Sequence, residues 1–75
     1  MLYDEFLLQV YRIVMSIEMP KRELCKRIGK KYNTFMRELN PFDDQAKLGL
    51  KTVIDIIRVT GDRRILDLME EELKK

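Results

Sequence analysis

Residues 20–40 read PKRELCKRIGKKYNTFMRELN, and this stretch decides the fold. It holds seven Lys or Arg against two Glu, a net charge of +5, while the rest of the chain sums to −3. Leu24, Cys25 and Ile28 fall on one face of a helix predicted over Lys21–Ile28. Gly29 stops that helix, because glycine enters the left-handed conformation without a side-chain clash. Phe35 and Leu39, one turn apart, mark the buried side of a second helix over Tyr32–Leu39. It ends at Asn40-Pro41, since proline disfavours helical geometry in the residue before it. Only Lys30 and Lys31 separate the two helices. So short a joint forces a steep angle, as in a helix-turn-helix, here over about 21–39.

Working outward, residues 4–18 repeat Phe6, Val10, Ile13, Val14 and Ile17 at helical spacing, with Asp4 as the expected cap. Leu7, Leu8, Tyr11 and Met15 widen that apolar surface beyond one stripe. A helix so broadly apolar is either wrapped by the rest of a small domain or meets a partner. Residues 41–49, PFDDQAKLG, are turn material, with Phe42 and Leu48 expected to tuck back as plugs. A fourth helix is predicted over Leu50–Thr60, with Val53, Ile54, Ile57 and Val59 facing inward and its start loosely defined between Leu50 and Thr52. Gly61 closes it and Asp62 caps a fifth helix running to about Leu73, buried through Ile65, Leu66, Leu68, Met69 and Leu73. The expected fold is therefore all-α, a compact bundle of four to five helices forming a single domain over 1–75.

Composition narrows the function. With one cysteine and no histidine, the chain offers no disulfide and no ordinary Cys/His metal site, and no cofactor is expected. A single thiol fits a reducing cytoplasm, the expected location. The apolar run of the first segment is broken by Gln9 and Arg12, which argues against a signal peptide and against a membrane span. An enzyme is not expected: no glycine-rich phosphate loop and no pair of acids with catalytic spacing is present. Asp43-Asp44 reads as a turn dipeptide, and Asp55, Asp62 and Asp67 have no metal-loop spacing. Cys25 reads as a small packing residue where the two central helices cross, with no histidine to activate it.

A basic, compact helical pair in an otherwise mildly acidic chain suits a polyanion, and double-stranded DNA is the first candidate. In a helix-turn-helix the first helix braces the second, whose outer face enters the major groove. The candidate base-reading residues are Lys31, Tyr32, Asn33, Met36, Arg37 and Asn40. Arg37 can donate two hydrogen bonds to guanine and Asn33 can pair with adenine, each such contact discriminating by about 1–3 kcal/mol. Tyr32 and Met36 can meet thymine methyl groups. Lys21, Arg22, Lys26 and Lys30, with Lys31 beside them, are placed for phosphates, which fix register without reading sequence. Two features run against the pattern: Lys31 occupies the cap position of the reading helix, and Glu38 adds a negative charge to it, facing a partner or orienting Arg37. RNA fits less well, because a helix suits the major groove of B-form DNA better.

The same residues resemble the bacteriophage regulatory protein CII-like family of lambda-repressor-like helix-turn-helix domains. The similarity runs through Glu23-Leu24, the small Cys25, Ile28-Gly29 and Leu39-Asn40-Pro41. It continues through Leu48, Leu50, Val53 and Ile57 to Thr60-Gly61-Asp62 and Ile65-Leu66, covering about residues 20–73. The resemblance implies a DNA-binding transcriptional regulator of phage or prophage origin, acting as a homodimer or higher homo-oligomer, with the reading positions named above. A longer C-terminal extension used for assembly by some such regulators is not seen here, so the first and last helices are the expected contacts between copies. A different class of function stays open. A small helical protein-interaction or dimerisation module that does not bind DNA would use the apolar face of residues 6–17 and leave the basic pair incidental. No small-molecule ligand or membrane partner is indicated.

Overall fold

The computed structural model describes residues 5–43 and 45–75, so Asp4 as a cap, and Asp44, lie outside the described residues. The described chain is helical throughout, with no strand: α1 (Glu5–Ser16), α2 (Lys21–Ile28), α3 (Tyr32–Leu39), α4 (Leu50–Thr60) and α5 (Arg64–Leu73). Its Cα radius of gyration of 12.0 Å is close to the roughly 11 Å expected of a packed chain of this length.

The helix ends follow local chemistry. Gly29, at φ +76°, ends α2 and passes its N–H to the Lys26 carbonyl, while the Lys30 N–H reaches the Cys25 carbonyl. This is the left-handed exit that orphaned helix carbonyls favour. A Cβ built on Gly29 meets nothing within 4 Å, so a substitution there is resisted by the backbone alone. Gly29→Ala is therefore expected to cost about 1–2 kcal/mol in urea unfolding, the left-handed penalty for a residue with a Cβ. At the start of α5, Asp62 Oδ1 accepts the Arg64 N–H at 2.9 Å, and its carboxylate also holds the Arg64 guanidinium. That pairing keeps the Asp62 carboxyl below its ordinary value. Asp62 thus anchors α5 as expected, one residue ahead of the cap position at Arg63. Lys21 closes the end of α1: its ammonium donates to the Ile17 and Met19 carbonyls, 2.5 and 3.0 Å away.

The core is one cluster of Val10, Val14, Leu24, Cys25, Phe35, Leu39, Ile56 and Ile65. α1 packs on α3 and α5, and α2 packs on α3 and α4. The broad apolar face of α1 is thus largely turned onto the body of the molecule: Phe6, Tyr11, Ile13 and Ile17 pack against the core, while Met15 is exposed. α1 is also shorter than predicted, ending at Ser16 rather than 18.

Three expectations for side-chain direction are corrected. On α4 the buried positions are Thr52 and Ile56; Ile54, expected inside, is exposed. Leu73, expected to be buried, lies 85% exposed in the last turn of α5. Phe42, expected as a plug, is 61% exposed, whereas Leu48 does pack against the core. The reason on α4 is geometric. Lys51, Asp55 and Arg58 recur at i, i+4 and i+7 and form the outer, polar side of α4; Ile54 borders that stripe, while Ile56 lies away from it toward the core.

Candidate nucleic-acid interface

α3 is anchored from within by Phe35 and Leu39, at 0% and 2% exposure. Helical geometry then turns the opposite arc outward. Asn33, Thr34, Arg37 and Asn40 are all exposed there, with Lys31 exposed at the N-terminal end. Thr34 was not among the candidates read from the sequence, yet it sits beside Asn33 on the same outward arc. Marking the positions around the helix opposite Phe35 would have found it. Tyr32 and Met36 flank this arc instead of crowning it: both are half-buried and packed against the core. Met36 lines a shallow groove with Leu8, Tyr11, Asn40, Pro41 and Phe42.

α2 lies alongside, and one contact ties the two helices at their surface. The Arg22 guanidinium carbon stands 4.1 Å from the centroid of the Tyr32 ring, a cation–π geometry that holds both side chains at the α2–α3 junction. Lys26 is exposed on α2, where Arg22, Glu23, Lys26 and Arg27 line an open groove. Lys31 precedes α3 in an extended conformation and forms no side-chain cap, so the first-turn amides of α3 receive no side-chain acceptor from it.

Several of the charges are engaged within the molecule. Lys30 grips both oxygens of Glu38 at 2.8 and 2.9 Å across the turn, and both side chains are largely covered. Glu38 therefore braces the turn against α3; the acid that meets Arg37 is Asp43, whose Oδ2 accepts Arg37 Nε–H at 3.0 Å. Arg27 pairs with Glu23 one turn earlier. Lys21, as described, caps α1 and is half-buried. Asn40 Oδ1 accepts the Phe42 N–H at 2.9 Å and so shapes the turn after α3. Arg22 and Lys26 on α2 and Lys31 just before α3 are exposed cations, and the Arg37 side chain on α3 is 59% exposed.

Cys25 is buried in the core at 2% exposure, on the inner side of α2. Burial pushes its thiol upward in pKa, partly offset by the nearby Arg22 charge, so the protonated, unreactive form is favoured. Opening a core segment costs a few kcal/mol, so the folded thiol is expected to react with a disulfide reagent about 100-fold more slowly than in urea. Equal rates in the two conditions would show that Cys25 is accessible.

These features define an all-helical protein with a basic surface built on two short helices. Among the described residues no helix is long and apolar enough to cross a membrane. The chain matches the family described as Phage regulatory protein CII (CP76) over residues 4–75, and it belongs to that family. The family is one of regulatory proteins rather than enzymes. No curated protein and no solved structure matches the chain.

Proposed function

We propose that this protein is a transcriptional regulator of phage or prophage origin that binds double-stranded DNA sequence-specifically, with α2 and α3 acting as a helix-turn-helix. The observation that carries the reading is the outward arc of α3. Asn33, Thr34 and Arg37 are exposed on the side away from the buried Phe35 and Leu39, and the exposed cations Arg22 and Lys26 lie on the adjoining α2, with Lys31 at the start of α3. Such a face matches the major groove in chemistry: amide and guanidinium donors for base edges, and flanking cations for the phosphates. Lys30 acts through Glu38 to hold the turn, and Lys21 through the end of α1, so both support the surface more than they touch phosphate.

Two copies acting on two half-sites would place their reading helices about one turn of DNA apart, roughly 34 Å. Leu50 and Ile54, exposed one turn apart on α4, supply apolar surface for such a homodimer. The same pair favours the rival reading, an interaction or dimerisation module without DNA. Selection of bound fragments from a random duplex pool separates the two. Convergence on a shared motif is expected; recovery no better than for a pool without protein would sink the DNA reading.

A further inference from the structure

Resting on that DNA-binding reading, we infer that Asp43 is a positioning residue that presents Arg37 to a base edge. Asp43 lies in the loop after α3, and all of its hydrogen bonding serves one geometry. Its own N–H donates to the Asn40 carbonyl at 3.2 Å, drawing the chain back toward the end of α3. Its Oδ1 accepts the Gln45 and Ala46 backbone N–H groups at 2.8 and 3.2 Å. Those bonds leave Oδ2 directed at Arg37 Nε, 3.0 Å away. The carboxylate is thus fixed by backbone; the Asp43 side chain is only 17% exposed, while that of Arg37 is 59% exposed.

The chemistry of the fork gives this contact a direction. A guanidinium has five N–H donors, and the single bond at Nε uses one of them. Among the described residues the two terminal amino groups have no hydrogen-bond partner, and as a planar pair they match guanine O6 and N7. An arginine already held in this way loses less side-chain freedom when it meets a base. The Asp43 carboxyl is held below its ordinary value, first by the Arg37 hydrogen bond and then by the loop amides, in keeping with a contact that persists at neutral pH.

A carboxylate beside DNA also has a plain electrostatic effect, repulsion of the phosphates, and the two roles predict opposite results. The test is Asp43→Asn, which keeps an Oδ1 acceptor for the Gln45 and Ala46 amides and removes the charged partner of Arg37. Affinities are measured for a duplex selected by the wild-type protein and for a scrambled duplex, across a salt series, with thermal unfolding as a check on the fold. Positioning predicts that Asp43→Asn weakens binding to the selected duplex by about three- to tenfold. Binding to the scrambled duplex is unchanged or tighter, and Asp43→Asn adds little discrimination loss in an Arg37→Ala background. Tighter binding to both duplexes by the same factor, with their ratio preserved, would show Asp43 to be a counter-charge and overturn the inference alone. Failure of the wild-type protein to bind either duplex at low salt would overturn both the inference and the reading beneath it.

Discussion

Arg37→Ala is expected to weaken binding to the preferred duplex by about 1–3 kcal/mol, roughly 5- to 150-fold, while leaving affinity for unrelated sequence nearly unchanged. The reasoning is positional. Arg37 lies on the arc of α3 opposite Phe35, its side chain is more than half exposed, and among the described residues its side chain bonds only Asp43, through Nε. On the proposed reading, removing it takes away base-edge donors and leaves the cations proposed to face phosphates in place. Lys26→Ala is the matched control, because Lys26 is exposed on α2 to one side of that arc. Its loss should weaken all duplexes alike and reduce the slope of log K against log salt by about 0.9. Fluorescence anisotropy on paired duplexes across a salt series reads both effects. If Arg37→Ala lowers affinity for every sequence equally, Arg37 is a phosphate contact and the base-reading role is lost.

The larger effect on stability is expected from Phe35→Ala. Phe35 is completely buried, from the helix that carries the candidate reading face, and is among the largest of the buried side chains. Truncating a buried phenylalanine costs about 3–5 kcal/mol through lost transfer energy and the cavity that remains. A chain of 75 residues has a total stability on the order of 4–11 kcal/mol. The variant should therefore be partly or wholly unfolded at room temperature. Urea titration followed by far-ultraviolet circular dichroism measures this directly. A loss below about 1 kcal/mol would mean that the surroundings of Phe35 collapse onto the cavity, and that α3 is held by something other than this side chain.

Helix boundaries were legible where single residues dictate backbone geometry. Gly29, Asn40-Pro41 and Gly61 each stop a helix by local sterics, and α2, α3 and α4 end where those signals place them. The buried side of α3 was equally plain, because Phe35 and Leu39 stand one turn apart with the charged Arg37 and Glu38 between them. On α4 the stripe of Lys51, Asp55 and Arg58 at i, i+4 and i+7 marks the outer side, so the exposure of Ile54 beside it and the burial of Ile56 away from it are also written in the order of residues. Leu73 was misplaced for another reason: it lies at the end of α5, where the last turn is exposed on every side.

The candidate site was legible as a composition and less so as an arrangement. The excess of Lys and Arg in residues 20–40 identifies a basic surface, but not which charges are already engaged. Lys30 and Glu38, eight residues apart, meet only because the turn at Gly29 folds one helix over the other. Arg37 finds Asp43 only through the turn that Asn40 and Asp43 build with their own side chains. Lys21 looks like a phosphate ligand in sequence and closes a helix in the structure. Such pairings depend on the geometry of the turns and helix ends that bring the groups together.

The most direct test of the outward face of α3 is a backbone-amide NMR titration of the labelled protein with a duplex recovered by selection. The predicted result is a set of shifts centred on Asn33, Thr34 and Arg37, with weaker changes at Arg22, Lys26 and Lys31. Shifts confined to α4 and α5, with the α3 amides unmoved at saturation, would contradict it.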